Sequence, residues 1–173
     1  MTVAIRPAKT SDIPAITRIY AHAVAHGTAS FELSPPVEAE LARRMNELVT
    51  NNFPYLAAEI DGVLAGYAYA GLYRTRPAYR WTLEDSVYIA PESQGHGIGR
   101  ALLTRLIDES QARGFRQMIA VIGDSGQAAS IALHRACGFH DIGTLESVGF
   151  KFGRWLDTVL MQRALGDGAK TGP

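Results

Sequence analysis

The sequence predicts a mixed α/β domain, a central twisted sheet flanked by helices. Three observations carry this. Strand pairs with hairpin character lie toward both ends of the chain, a strand, glycine loop, helix and strand lie between them, and no repeat or linker divides the 173 residues. Residues 1–165 are expected to form one domain and the polar tail GDGAKTGP, 166–173, to be disordered.

The elements follow in order. VAIRP, from Val3, reads as a strand. Ser11 is placed to cap a helix whose Ile13, Ile16, Tyr20 and Val24 share one face and which stops at Gly27. After the loop TASFELSPP, Val37, Leu41, Met45 and Leu48 mark a second helix that Pro35 and Pro36 can start. PYLAAEI and VLAGYAYAGLY flank Asp61-Gly62, a two-residue hairpin signal. WTLEDSVYIA is a strand that runs into QGHGIG. Ala101, Leu102, Leu106 and Ile107 give the next helix its buried side, and Gly114 stops it. FRQMIAVIG is a strand, SGQAASIALHRACG a short helix, and FHDIGTLESV with RWLDTVLMQ a closing strand pair. The predicted order is β-α-α-β-β-β-α-β-α-β-β.

Composition narrows the function classes. Apolar residues are 47% and charged residues 20%, as in an ordinary folded domain. Lys plus Arg equals Asp plus Glu at 17 each, so no net charge draws the chain to nucleic acid or an anionic membrane. The one cysteine, Cys137, excludes an internal disulfide and a cysteine metal cluster. His22 and His26 stand four apart without a third metal ligand, so no metal is expected. The N-terminal residues lack an apolar signal core, and no apolar run is long enough for a membrane span, which sets a cytoplasmic location as the expectation.

The glycine loop carries the first functional signal. A helix start has unpaired amides and the positive end of the helix dipole, and glycines let a bulky anion reach them. Gly95, Gly97 and Gly99 precede such a start. A Walker loop would need Gly-Lys-Ser/Thr where this chain has Gly99-Arg100-Ala101. A dinucleotide fingerprint would need different glycine spacing and an acidic residue closing the next strand, which FRQMIAVIG lacks. Gln94-Gly95-His96-Gly97-Ile98-Gly99 fits the third pattern, Gln/Arg-x-x-Gly-x-Gly/Ala.

This loop, with SVYIAPE before it and ASIALHRACGF about 30 residues later, resembles the GNAT superfamily of acetyl-CoA-dependent N-acetyltransferases. Within it, TASFEL, AYAGLYRTRPAYRWTLEDSVYI, IGDSGQAASIALHRACGF and GFKFGRWLDTVLMQ resemble the phosphinothricin and methionine sulfoximine acetyltransferases. The resemblance implies the acyl-CoA N-acyltransferase fold and acetyl-CoA as co-substrate. It implies that the backbone of Gly95, His96, Gly97, Ile98, Gly99 and Arg100 holds the pyrophosphate, and that Val87, Tyr88 and Ile89 pair with the pantetheine amides on a bulged, splayed strand. It further implies coenzyme contacts at Gln127, where family members usually carry Asn, and at Ser130. Cys137-Gly138-Phe139 replaces the family's usual Leu-Gly-Phe or Leu-Gly-Tyr, a packing change. Arg74, Thr75 and Arg76, with Glu84, Asp85 and Ser86, would line the substrate site, and GFKFGRWLD with family habit implies a homodimer.

Acetyl transfer to an amine needs a base, a held carbonyl and a proton for the thiolate. Alternation puts Thr82, Glu84 and Ser86 on one face of their strand and Leu83, Asp85 and Val87 on the other, and Glu84 is the expected base. His134 is expected either to protonate the thiolate, where many superfamily members have tyrosine, or to pack beside Cys137. Arg74, Arg76 and Arg80 suit a carboxylate or phosphinate, and Phe31, Tyr73, Tyr79 and Trp81 suit an apolar slot. The acceptor is expected to be the α-amine of a small amino acid analogue, by direct transfer. A peptide or polyamine acetyltransferase and a non-catalytic acyl-CoA sensor stand as alternatives.

Overall fold

Apolar periodicity decides which side of each element is covered, and the computed structural model, described over residues 3–173, bears out the predicted order. Met1 and Thr2, counted in the expected domain, lie outside the described residues. The elements are β1 (Val3–Pro7), α1 (Ile13–His26), α2 (Glu38–Thr50), β2 (Tyr55–Ile60), β3 (Val63–Leu72), β4 (Thr82–Ile89), α3 (Ile98–Ala112), β5 (Gln117–Gly123), α4 (Ala128–Ala136), β6 (His140–Lys151) and β7 (Arg154–Ala164). They form one seven-stranded sheet in the order β1-β2-β3-β4-β5-β7-β6. Every neighbour is antiparallel except β4 and β5.

Alternation along the strands creates two cores. On one face, here the front, Tyr55, Tyr67 and Ala90 pack under α1 and α2 against Ile16, Tyr20, Val24, Leu41 and Met45. On the back, Leu56, Ala58, Ala68, Ala70, Leu83, Met118 and Met161 pack under α3 through Leu102, Leu103 and Leu106. The back core is rich in alanine and the front core in tyrosine.

Three local details depart from the sequence reading. Asp12, not Ser11, is the residue before α1; its carboxylate accepts from the Lys9 amide at 2.7 Å and from Arg6 at 2.8 Å. β6 runs to Lys151, so GFK is strand, and the turn at Phe152 and Gly153 has both φ angles positive. Residues 166–173, expected to be disordered, form turns in which Arg116 donates to the Thr171 hydroxyl and the Gly172 carbonyl. Among the described residues, no helix is long and apolar enough to cross a membrane.

Candidate active site

The site starts from a divergence in the sheet. β4 pairs with β5 only over Thr82–Glu84 against Gln117–Ile119. Beyond that point β5 continues beside β7 and β4 beside β3, and a slot opens between them. The expected bulge in β4 is absent: its register with β3 is unbroken from Leu83 to Ile89, and the sheet's irregularity at this end lies between β2 and β3, at Ala58/Glu59. The splay therefore comes from the lost β5 partner alone.

Alternation then sorts β4. Glu84, Ser86 and Tyr88 face the front, opposite Gly71, Tyr69 and Tyr67, while Leu83, Asp85 and Val87 face the back. A cavity of about 120 Å³ fills the slot, lined by Glu84 to Tyr88, Ala120 to Gly123, Ala29, Gln127, Ser130 and His134. A cleft of about 480 Å³ adjoins it and shares Ala29, Val87, Tyr88, Gln127 and Ser130. The cleft runs past Ile89 to Gly95, Gly97 and the start of α3.

The glycines explain that end of the cleft. Gly95 and Gly97 have φ near +78° and +76°, and a Cβ on either would meet no atom within 4 Å. Gly97 caps α3, and the first intrahelical bond runs from the Ala101 amide to its carbonyl at 3.1 Å. The amides of Ile98, Gly99 and Arg100 therefore have no partner within the helix. Open space before unpaired amides fits a pyrophosphate. Gly99 serves packing instead, since a Cβ there would lie 3.2 Å from Leu133 of α4. His96 is not brought into this cleft: its Nδ1 lies 3.3 Å from the Ser93 carbonyl.

Glu84 is half-buried on the front side of the slot. Burial pushes its pKa up, the Asp85 charge adds to that, and the Arg74 charge pulls back. Asp85, expected to touch substrate, is turned away from Glu84 and buried. Its Oδ2 lies 2.9 Å from Nε2 of His134, and its Oδ1 has no hydrogen-bond partner. His134 Nδ1 donates to the Ser130 carbonyl at 2.7 Å. That carbonyl only accepts, so Nδ1 carries a proton and the second nitrogen shares one with Asp85. Burial alone would lower the imidazole pKa, but the Asp85 hydrogen bond and charge and the Ser130 carbonyl outweigh it and hold the pKa above 6.5. His134 is thus held in a pair, with its ring edge-on to Phe139. It lines the slot from the back, opposite to Glu84.

Arg74, Thr75 and Arg76 lie exposed in the β3–β4 connection and line neither cavity; Arg74 rests over the Tyr73 ring at 4.8 Å. Tyr73 and Tyr79 meet edge-on, and Arg80 covers Trp81. Phe31 packs against Gly123 and Gly149 rather than beside those rings. Gln127 lines both cavities, but its side-chain amide donates to Thr28 at 3.0 Å. Among the described residues, no group of three or more His, Cys, Asp and Glu is placed to hold a metal ion.

Sequence reasoning passed over Asp124, Lys151 and Arg154. Asp124, at a φ of +76°, accepts from Thr28 at 3.0 Å, the Gly126 amide at 3.1 Å and Arg154 at 2.7 Å. The GFKFGRWLD stretch contained the signal: alternation sets Lys151 on the face opposite Phe150.

Known proteins share this fold. A crystal structure of a phosphinothricin acetyltransferase from Sinorhizobium meliloti in complex with acetyl-CoA superposes with a TM-score of 0.97 at 49% identity, covering 100% of this chain and 94% of that one. A phosphinothricin N-acetyltransferase from Alcaligenes faecalis is 57% identical over 98% of this chain and 86% of its own length. An L-methionine sulfoximine/L-methionine sulfone acetyltransferase from Salmonella typhimurium is 43% identical over 95% of this chain and 96% of its own length. The family model described as Acetyltransferase (GNAT) family matches residues 16–139, a span that holds the slot, the glycine-capped helix start and the Asp85–His134 pair, and the chain belongs to that family.

Proposed function

We propose that this acetyltransferase acetylates the α-amine of a small amino acid analogue of the phosphinothricin or methionine sulfoximine kind, directly, with both substrates bound. The observation that carries this is Glu84: a half-buried carboxylate with a raised pKa, beside a slot that opens into a cleft ending at a glycine-capped helix. The relatives that act on such substrates support the choice of acceptor.

Acetyl-CoA, when bound, supplies the thioester carbonyl. The amides of Ile98, Gly99 and Arg100 would face its pyrophosphate, and the β4 edge from Val87 to Ile89, unpaired on its β5 side, offers main-chain groups to its amide-bearing arm. Glu84 takes a proton from the ammonium, the neutral amine attacks the carbonyl carbon, and the nitrogen sheds its second proton to solvent as the amide forms. As the C–N bond forms and the C–S bond breaks, the thiolate needs a proton. His134 holds one at Nε2 on the back side of the slot, and its delivery requires the hydrogen bond to Asp85 to open. Cys137 lines neither cavity and is buried at the end of α4, which favours direct transfer over an acyl-cysteine step. The outer strands leave Ile142, Leu145, Val148, Phe150, Phe152 and Trp155 exposed, and we assign this apolar face to a second copy of the chain. Sedimentation as a monomer at micromolar concentration would remove that assignment.

The test of acceptor class pairs each acid with its carboxamide, reading thiol release from acetyl-CoA. Methionine sulfoximine and phosphinothricin should be acetylated at least about tenfold better than their carboxamides, since a charged hydrogen-bond partner contributes about 1.5–3 kcal/mol. Arg74→Ala should raise KM for the acid and leave acetyl-CoA affinity unchanged. Equal rates for acid and amide would give first place to a peptide or polyamine acceptor.

A further inference from the structure

Between α1 and α2 the chain crosses the mouth of the site without regular structure. In this loop Ala29 lines both the slot and the cleft, so residues 27–31 form a strap over their junction. A strap without ladder or helix bonds needs other anchors. Tyr20 and Ser30 hydroxyls meet at 2.9 Å, and Thr28 bonds Asp124 and Gln127. The third anchor is Lys151 of the β6–β7 hairpin. Its Nζ donates to the Gly27 carbonyl at 2.9 Å and the Ser30 carbonyl at 2.8 Å.

Lys151 is only 4% exposed, and among the described residues its ammonium forms no salt bridge. Burial lowers its pKa, partly offset by the Glu32 charge. Its Nζ also lies 5.0 Å from the centre of the Phe152 ring, but stability alone would favour a long apolar side chain here, because a buried ammonium without an anionic partner is costly. What an apolar residue cannot do is fix two carbonyls three residues apart.

We propose that Lys151 is a positioning residue for acyl transfer, holding the 27–31 strap at the height that Ala29 needs to close the junction of slot and cleft. The kinetic part rests on the acetyltransferase reading; the structural part does not.

The chain has three lysines, Lys9, Lys151 and Lys170. Reductive methylation of the folded wild-type protein with labelled formaldehyde, mapped by mass spectrometry, should label Lys9 and Lys170 and spare Lys151. Labelling of all three at one rate would overturn the proposal without any variant. In Lys151→Met, chymotrypsin should cut after Phe31 at least about tenfold faster, through local opening of the strap. With acetyl-CoA and the acceptor, kcat should fall at least about tenfold, while calorimetry should show CoA affinity changed by less than about threefold, because the glycine loop is untouched. In Lys151→Cys, alkylation with 2-bromoethylamine rebuilds a lysine-like amine and should restore both strap protection and kcat. Faster cleavage with unchanged kcat, or rescue by a neutral alkylating agent of equal length, would refute the positioning role. Absence of turnover in the wild-type protein would count against the acceptor assignment, while the labelling and cleavage arms would still decide the strap.

Discussion

Replacing Asp85 with asparagine keeps the shape of the buried pair and removes its charge. The side chains of His134 and Asp85 are 5% and 1% exposed, so solvent screens them little. Nδ1 of His134 must donate to the Ser130 carbonyl, so in the wild-type protein the bond between Nε2 and Asp85 joins imidazolium to carboxylate whenever the ring is charged. An asparagine amide can instead donate to a neutral Nε2, so the contact survives without charge. A hydrogen bond to a charged group contributes about 1.5–3 kcal/mol and a neutral one about 0.5–1.5 kcal/mol, so the expected loss is about 1–2 kcal/mol. The pH dependence follows from the raised pKa. A histidine with a folded pKa above 6.5 contributes stability that is fully present below 6.5 and is lost as pH rises through the folded value. The Asp85→Asn protein lacks that contribution. Urea unfolding of both proteins from about pH 5.5 to about pH 9 should show the full deficit at the acid end and convergence at the alkaline end. A deficit that stays constant across this range would refute the charged pair.

Two further outcomes test the reacting groups. Gly97→Val adds a branched side chain at a positive φ, in space now free within 4 Å, and should weaken acetyl-CoA binding at least about tenfold by calorimetry on the folded protein. Glu84→Gln should lower kcat by roughly 10²-fold. Because burial and the Asp85 charge raise the Glu84 pKa, the acid limb of the wild-type pH–rate profile should lie above the usual carboxylate value of 4.5 and vanish in the variant.

Much of the fold was legible because turns and faces are local. Asp61-Gly62, Gly114 and Gly138 sit at positive φ where the sequence placed stops, and alternation sorted Glu84 from Asp85. The partner of Asp85 was not legible, since alternation names a face and not the helix residue 49 positions away that meets it. Asp12, rather than the expected Ser11, precedes α1, and the Arg6 of β1 that draws it inward is not visible in the local sequence pattern. The contacts of Lys151 were not legible either, since the carbonyls that its amine reaches lie more than 120 residues earlier in the chain.

Glu84 and His134 stand on opposite sides of a single strand, and in the proposed mechanism this would separate uptake of one proton from delivery of another. A turnover that uses both leaves Glu84 protonated at the front and His134 short of a proton at the back, its neutral ring now facing a carboxylate. The protein after chemistry then carries the same net charge as before it, with one unit of positive charge moved from the back of β4 to its front. Restoring the first state is a step in its own right, and the two sides have unequal access to solvent: Glu84 is half-buried, whereas His134 is 4% exposed and borders water only through the slot. Resetting the back of the strand therefore depends on the slot emptying, which ties recovery of the acid to departure of the thiol.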